Sequence, residues 1–235
     1  MKPEIQHNKI VVLSGAGISA ESGLPTFRDF HSGLWNLYSW RELASPEGWK
    51  QHPEAVLAFY NERRLQAWLA VPNAAHEAIA SLETAYEVVV ITQNVDELHE
   101  RAGSRNVIHV HGKIAYARGT SPARKRRKID GSPILMGQLC EDGTQLRPDI
   151  VWFGEQIECF EEARLHVTTA AKVLVVGTSL SVYPVASLVN EARDDAEKVL
   201  VSLEMIELPY GFVSIQGKAT EVLPELTAKW LALLG

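Results

Sequence analysis

The feature that most constrains the fold is a short apolar run near the start of the chain that stops at two closely spaced glycines. Residues 10–13 read Ile-Val-Val-Leu, and Ser14-Gly15-Ala16-Gly17 follows directly. Such a run is typical of a parallel strand buried on both faces of a sheet. Gly15 and Gly17 would let the backbone approach a ligand, and a helix beginning near Ile18 would direct free N–H groups at a phosphate. This indicates a dinucleotide site, but the spacing is not G-x-G-x-x-G, so a tight strand-to-helix connection is an alternative.

Composition favours a cytoplasmic globular protein. A chain of 235 residues with 46% hydrophobic residues can bury a full core, and its length predicts one large domain with a smaller module attached. No apolar run approaches the roughly 18 residues of a membrane helix, and the first residues lack a signal-peptide core. The two cysteines, Cys140 and Cys159, lack C-x-x-C spacing, so neither a disulfide framework nor a four-cysteine zinc site can form within one chain.

The charge pattern contains one exception to an acidic body. A net charge of −6 argues against general nucleic-acid binding, yet residues 124–128 read Arg-Lys-Arg-Arg-Lys. Such a run is usually a solvated loop, and a nuclear address, a nucleic-acid contact and a dock for an acidic partner remain open.

Strand-like and helix-like segments alternate along the chain, which predicts an α/β fold with a mostly parallel, doubly wound sheet. Residues 29–40 are predicted to be a loop that closes over a ligand, and residues 113–146 an excursion from the sheet. The core is expected to resume with a strand and turn at 147–155. The other predicted strands are 10–13, 86–92, 106–110, 172–176, 198–202 and 213–215. The predicted helices are 53–70, 73–82, 160–170, 185–192 and 220–234.

Polar side chains follow several of these strands. Residues 87–92 lead into Gln93, Asn94 and Asp96, and the next strand ends at His111. A second small-residue turn, Gly177-Thr178-Ser179, follows the strand 172–176. Ligands of open α/β sheets bind at the carboxyl ends of the strands, and hydroxyl groups there suit phosphate or ribose. The alternative for His111 is a structural histidine bonded to a backbone carbonyl.

In their residues and in their order along the chain, these motifs resemble those of the sirtuins, the NAD-dependent protein deacylases. The resemblance covers nearly the whole chain. Its motifs are residues 15–23, 25–28, 92–96, 98–103, 111–112, 147–148 with 151–155, and 177–179 with 182–184.

The resemblance implies a Rossmann-like fold and a reaction with NAD and acylated-lysine proteins. The acyl oxygen attacks the anomeric carbon of the nicotinamide ribose, and the products are free lysine, nicotinamide and acyl-ADP-ribose. His111 would be the general base, since an imidazole with an ordinary pKa of about 6.5 exchanges protons near neutrality. Asn94 and Asp96 would hold the ribose and nicotinamide. The implied cofactor-binding residues are Gly15, Ala16, Gly17, Ser19, Phe27, Arg28, Gln93, Asn94, Asp96, Gly177, Thr178, Ser179, Ser202 and Ala219.

The resemblance also implies the substrate contacts. Val151, Trp152 and Phe153 would pair with the peptide backbone as an added strand. Tyr60 and Arg63, with Ala20, match the sirtuins that remove acidic acyl groups such as succinyl and malonyl. Residues three apart share a helix face, so a phenol and a guanidinium can grip one carboxylate. The alternative is that Tyr60 packs in the core and Arg63 pairs with a surface acid.

The chain departs from the family pattern at three points. Only Cys140 lies in the interval that normally carries four zinc cysteines, so no zinc is expected. Ser202 replaces an asparagine that holds the adenosine ribose, and Glu97 replaces a small residue beside Asp96.

The expected layout is a large part at 1–30, 73–112 and 147–235, with a small module at 31–72 and 113–146. We expect a monomer that binds neither membrane nor nucleic acid. Alternative functions are protein ADP-ribosylation, NAD hydrolysis, or NAD binding without catalysis.

Overall fold

The computed structural model describes residues 4–26, 34, 39–121, 125–204 and 207–233. Its strands are β1 Gln6–Ser14, β2 Glu87–Thr92, β3 Val107–His109, β4 Gly112–Arg118, β5 Arg126–Lys128, β6 Arg147–Ile150, β7 Ala170–Val176, β8 Glu197–Ser202 and β9 Val213–Gln216. Its α-helices are α1 Trp40–Leu43, α2 Pro46–Gln51, α3 Pro53–Leu69, α4 Ala74–Ser81, α5 Leu98–Ala102, α6 Phe160–Thr169 and α7 Ala219–Ala232. Short 3-10 helices lie at Ala16–Ser22, Leu82–Thr84 and Val185–Glu191.

Within the described residues, six parallel strands form the main sheet in the order β3-β2-β1-β7-β8-β9. Ile10 and Val12 on β1 face a core formed with α4 and α7, whereas Val11 and Leu13 face a core formed with α6. This alternation explains why residues 10–13 of the central strand are all apolar: both faces of the strand are buried there. The predicted doubly wound α/β sheet is confirmed.

Helices α3 and α4 begin where the sequence predicts. Pro53 occupies the first turn of α3, where its missing N–H costs no hydrogen bond. Asn73 caps α4, accepting a hydrogen bond from the N–H of Ala75 at 3.0 Å. The imidazole of His76 accepts the Asn73 N–H in return, which completes a capping box.

The small module differs from the prediction. Strands β4, β5 and β6 form an antiparallel sheet in the order β5-β4-β6 within the described chain. Strand β6 confirms the strand expected from residue 147, but it pairs with β4 in the small sheet and not with a strand of the main sheet. Residues 113–146 are not only an irregular excursion, since they hold most of β4 and all of β5. Strand β5 escaped prediction because its three residues are exposed and basic, and only pairing with β4 makes them extended.

Helix α3 covers the small sheet and joins it to the rest of the molecule. Its residues Val56, Phe59 and Tyr60 share a core with Ile150 and Trp152. The helices expected near Ile18 and at 185–192 are present as 3-10 helices, Ala16–Ser22 and Val185–Glu191. Most of the loop predicted at 29–40 lies outside the described residues, and its last residue, Trp40, begins α1. None of the helices in the described part of the chain is long and apolar enough to cross a membrane.

Candidate active site

The carboxyl ends of β1 and β7 meet at the point where the strand order reverses. From β1 the chain moves outward to β2 and β3, whereas from β7 it moves the other way to β8 and β9. A crevice opens at such a reversal. Here it forms a cavity of about 480 Å³ that extends from the main sheet to the small module.

Two glycine turns form the floor of the cavity and pack directly on each other. The N–H of Gly17 donates to the carbonyl of Gly177 at 2.8 Å. A Cβ added at Gly15 would lie 2.7 Å from the Gly177 oxygen, and Gly177 itself has a φ of +63°. The N–H groups of Gly15 and Ile18 are also donated within the protein. Of the helix N–H groups from Ile18 onward that were expected to face a phosphate, that of Ile18 donates instead to the Gly15 carbonyl at 3.1 Å, within the same turn.

A buried polar network lies behind the first turn. Ser19 donates its hydroxyl to Asp96 Oδ2 at 3.2 Å and accepts from the Asn94 amide at 3.1 Å. The N–H of Leu98 donates to Asp96 Oδ1 at 3.0 Å. Burial raises the pKa of Asp96 despite these two hydrogen bonds, which lower it. The network fixes the side chain of Asn94, which lines the cavity.

The backbone at Asn94 has a second support that the sequence did not reveal. His109 contacts the Asn94 carbonyl through Nδ1 at 2.9 Å and Glu100 through Nε2 at 2.9 Å. Lys113 donates to the same carboxylate at 2.6 Å. Although burial opposes it, hydrogen bonds from His109 and Lys113 lower the pKa of Glu100 to about 2. These side chains come from three separate elements, so no local pattern could have indicated them.

His111 follows β3 and lines the cavity. Its Nδ1 lies 3.1 Å from the carbonyl oxygen of Gln93. A carbonyl only accepts, so Nδ1 carries the hydrogen and Nε2 is the basic nitrogen of the neutral ring. The structural interpretation of His111 and the catalytic one are thus compatible, since the backbone contact selects the tautomer that a base requires.

The second turn supplies hydroxyl groups. Thr178 accepts a hydrogen bond from the Gln93 amide at 3.0 Å, and the hydroxyls of Ser179 and Ser181 lie 2.7 Å apart. Thr178 and Ser179 line the cavity, and Ser202 at the end of β8 lines it as well.

Tyr60 and Arg63 bring helix α3 to the lining of the cavity. The indole of Trp152 donates to the Tyr60 hydroxyl at 3.1 Å, and burial raises the pKa of this phenol, so it stays neutral. Arg63 pairs with Glu62 at 2.8 Å and lies 4.4 Å above the ring of Phe59. Tyr60 thus packs and Arg63 pairs with an acid, as the alternative states, and both also line the cavity.

An ion pair fixes the segment after β6. Arg147 binds Glu155 with a shortest distance of 2.7 Å, and the other oxygen of Glu155 accepts the Trp152 N–H at 2.9 Å. Burial lowers the pKa of Arg147 to about 10. The N–H groups of Val151 and Phe153 are donated to the His111 and Ala44 carbonyls. All three N–H groups of residues 151–153 are thus satisfied within the protein, and the Trp152 carbonyl accepts the Glu155 N–H at 2.9 Å.

Most of the sequence-predicted site residues meet in this one cavity. Those that line it are Gly15, Ala16, Gly17, Ala20, Tyr60, Arg63, Gln93, Asn94, His111, Val151, Trp152, Phe153, Gly177, Thr178, Ser179, Ser202 and Ala219. Ser19 and Asp96 lie behind the lining, and Phe27 and Arg28 lie outside the described residues. The lining residues that the prediction missed include Glu21, Ile157, Val182, Tyr183, Pro184 and Glu204. Of these six, Glu21 and residues 182–184 stand in motifs that the resemblance had singled out.

In the described part of the chain, no group of three or more His, Cys, Asp or Glu residues is placed to hold a metal ion. Cys140 and Cys159 form no disulfide, and Cys140 Sγ contacts the Lys125 carbonyl at 3.7 Å. Beside it, Asp142 accepts hydrogen bonds from the N–H of Thr144 at 2.9 Å and from the hydroxyl of Ser121.

The basic run forms β5 and its flank, apart from Arg124, which lies outside the described residues. Three of its charges are paired within the chain: Lys125 pairs with Glu141 at 2.9 Å, Arg126 with Asp149 at 2.9 Å and Lys128 with Asp130 at 3.2 Å. These ion pairs give the basic run a structural role.

Comparisons with known proteins agree with one another. Residues 15–184 match the Sir2 family. The NAD-dependent protein deacylase of Helicobacter pylori (strain ATCC 700392 / 26695) is 44% identical over 226 residues, which cover 95% of this chain and 98% of that protein. A crystal structure of a Sir2 homologue in complex with NAD superimposes with a TM-score of 0.87 at 39% identity, covering 97% of this chain and 91% of that one. A mutant Sir2 homologue in complex with 2'-O-acetyl ADP ribose matches with the same TM-score, 0.87, and 39% identity over 97% of this chain and 93% of that one.

Proposed function

The chain belongs to the Sir2 family, and we propose that it is an NAD-dependent protein lysine deacylase that removes acetyl and, through Tyr60 and Arg63, succinyl or malonyl groups. One observation carries the proposal: a single cavity joins the two glycine turns, the imidazole of His111 and the edge of residues 151–153. A dinucleotide and an acylated peptide can therefore meet at one base.

The described residues fit NAD. The cavity lies at the strand reversal where dinucleotides bind, and its volume falls in the range of ligand sites, about 300 to 1,000 Å³. When bound, NAD supplies an electrophilic ribose carbon and a nicotinamide leaving group. We assign the pyrophosphate and its flanking riboses to the glycine turns with Ala16, Thr178 and Ser179, and the adenosine to Ser202 and Ala219. Phe27 and Arg28 remain assigned by resemblance alone.

His111 acts as the general base. With Nδ1–H held by the Gln93 carbonyl, Nε2 accepts a proton from a ribose hydroxyl. Asn94 and Asp96 hold the ribose and nicotinamide side of the site. Because Asn94 is bonded to Ser19 and its backbone to His109, the amide is fixed before a ligand arrives.

The segment 151–153 binds the peptide backbone. Since its N–H groups are already donated, the pairing runs from peptide N–H groups to its carbonyl oxygens, such as that of Val151. The acyl chain then extends toward α3, where Arg63 and the neutral phenol of Tyr60 bind a terminal carboxylate.

The small module takes the place of the family's zinc ribbon without a metal ion. We assign its cohesion to the Asp142 hydrogen bonds and to the core that includes Leu57, Ala117 and Leu146. We further propose that the enzyme works as a cytoplasmic monomer on acylated proteins. The two unbridged cysteines and the internally paired basic run support this proposal.

Nicotinamide release tests the function. The purified chain is incubated with NAD and matched peptides that carry acetyl-lysine, succinyl-lysine or unmodified lysine, and the peptide products are weighed by mass spectrometry. We expect release that depends on the acyl group and yields free lysine. Release without an acylated peptide would identify an NAD hydrolase or an ADP-ribosyltransferase, and NAD binding without release would identify a non-catalytic module.

A further inference from the structure

The Trp152 indole makes the contact that defines how the Tyr60 hydroxyl points. Trp152 is 2% exposed, and its Nε1 donates to the Tyr60 oxygen at 3.1 Å. An indole N–H can only donate, so the phenol oxygen must be the acceptor of this bond. The hydroxyl hydrogen of Tyr60 is consequently directed away from Trp152, and Tyr60 lines the cavity together with Arg63.

The indole itself is held on several sides. The Arg147 guanidinium carbon lies 3.2 Å from the ring centroid, and Arg147 is locked to Glu155 by two hydrogen bonds of 2.7 and 3.1 Å. Glu155 also accepts the backbone N–H of Trp152. A ring clamped by a cation above it and a hydrogen bond on its own backbone has little freedom to turn.

We propose that Trp152 is a positioning residue for acyl-chain specificity, acting through Tyr60 to hold its hydroxyl as a donor aimed at a carboxylate beside Arg63. The inference rests on the proposed deacylase function and deepens it. A succinyl or malonyl carboxylate accepts the oriented O–H, whereas the methyl of an acetyl group has no acceptor to offer. Trp152 therefore contributes to the removal of acidic acyl groups far more than to deacetylation.

Kinetics of Trp152→Phe test the proposal, since this change removes the N–H and keeps an aromatic ring. We expect kcat/KM for a succinyl-lysine peptide to fall about 3- to 10-fold relative to the acetyl-lysine peptide, mainly through KM, as for the loss of one hydrogen bond. The control is Trp49→Phe, whose ring lies 5.7 Å from Trp152 and outside the cavity lining, and it should keep the succinyl-to-acetyl ratio. In the Tyr60→Phe background, Trp152→Phe should cause no further loss of the ratio.

The outcomes separate this inference from the function on which it rests. If Arg63→Met lowers the ratio and Trp152→Phe does not, or if the effects of Trp152→Phe and Tyr60→Phe add, Trp152 has no positioning role and the deacylase function stands. If the wild type deacetylates but never desuccinylates, both the acyl specificity and the role of Trp152 are wrong.

A second measurement keeps the proposal testable should Trp152→Phe fail to fold. The indole N–H resonance of Trp152 is followed by 15N NMR while the wild-type protein is titrated with succinyl-lysine or acetyl-lysine peptide in the absence of NAD. We expect a larger shift with the succinyl peptide and loss of that difference in Tyr60→Phe. Equal shifts with both peptides would overturn the inference.

Discussion

At the scale of single residues, two ordinary structural contacts prepare chemically useful groups. The carbonyl of Gln93 selects the tautomer of His111, and Arg63 packs on Phe59 while it reaches the cavity wall. Each of the two side chains is therefore consistent with both a structural and a functional interpretation. For such residues, a contact in the structure does not decide between the two interpretations, and substitutions must do so.

Arg63 can be separated from its pairing with Glu62 by two substitutions. We predict that Arg63→Met lowers kcat/KM for succinyl-lysine relative to acetyl-lysine by about 10- to 150-fold, the equivalent of one charge-assisted hydrogen bond. Glu62→Gln removes the exposed partner of the same ion pair and should preserve the ratio. Steady-state kinetics on both peptides measure the two effects. Equal losses on both substrates in Arg63→Met, or a matching loss of the ratio in Glu62→Gln, would contradict a carboxylate-binding role.

At the scale of elements, the glycine turn depends on buried polar packing between helices α4 and α5. The rings of His76 and His99 meet edge to face at 4.9 Å, and His99 Nε2 contacts the hydroxyl of Ser14 at the end of β1 at 2.9 Å. Burial lowers the pKa of His76 to about 4 and that of His99 to about 3, so both are neutral in the folded protein. Charging either histidine would oppose the folded arrangement beside the site.

This burial predicts an acid-sensitive fold. The unfolded histidines have a pKa near 6.5, so below that pH the unfolded state binds more protons and the free energy of unfolding falls as the pH drops toward about 4. We expect roughly 1 to 2 kcal/mol of loss for each histidine between pH 6.5 and 5. Urea unfolding at several pH values should show a shallower decline in His99→Gln, whereas exposed His7→Gln should keep the wild-type slope. Parallel curves for His99→Gln and the wild type would contradict this account.

At the scale of the whole molecule, the sequence predicted the main sheet well and the small module poorly. Strands β1 and β7 each contain a continuous apolar run, residues 10–13 and 173–176, that local sequence pattern detects, and the polar residues after these runs predicted the site. Strand β5 is exposed and basic, so only its partner β4 makes it a strand.

The candidate site shows the same division between local and distant information. Gly15, Asn94, His111 and Thr178 follow strands directly and could be predicted. Other contacts form only when elements that are distant in the sequence pack together, as between His109 and Glu100 or between Trp152 and Tyr60. No spacing of residues along the chain predicts such contacts. Gly15 and Gly17 were predicted because glycine lets the backbone approach a ligand. The close packing of their turn on Gly177 also leaves no space for a Cβ atom at either position.

The measurement that tests the central claim most directly is the ratio of nicotinamide released to lysine freed on an acetylated peptide, in the wild type and in His111→Ala. We predict equal amounts of both products in the wild type. His111→Ala should lose about 10²- to 10⁴-fold in the rate of lysine formation, the usual contribution of a positioned general base, while its thermal unfolding stays near that of the wild type. Nicotinamide release that exceeds lysine formation in the wild type, or near-normal deacetylation by His111→Ala, would contradict the account.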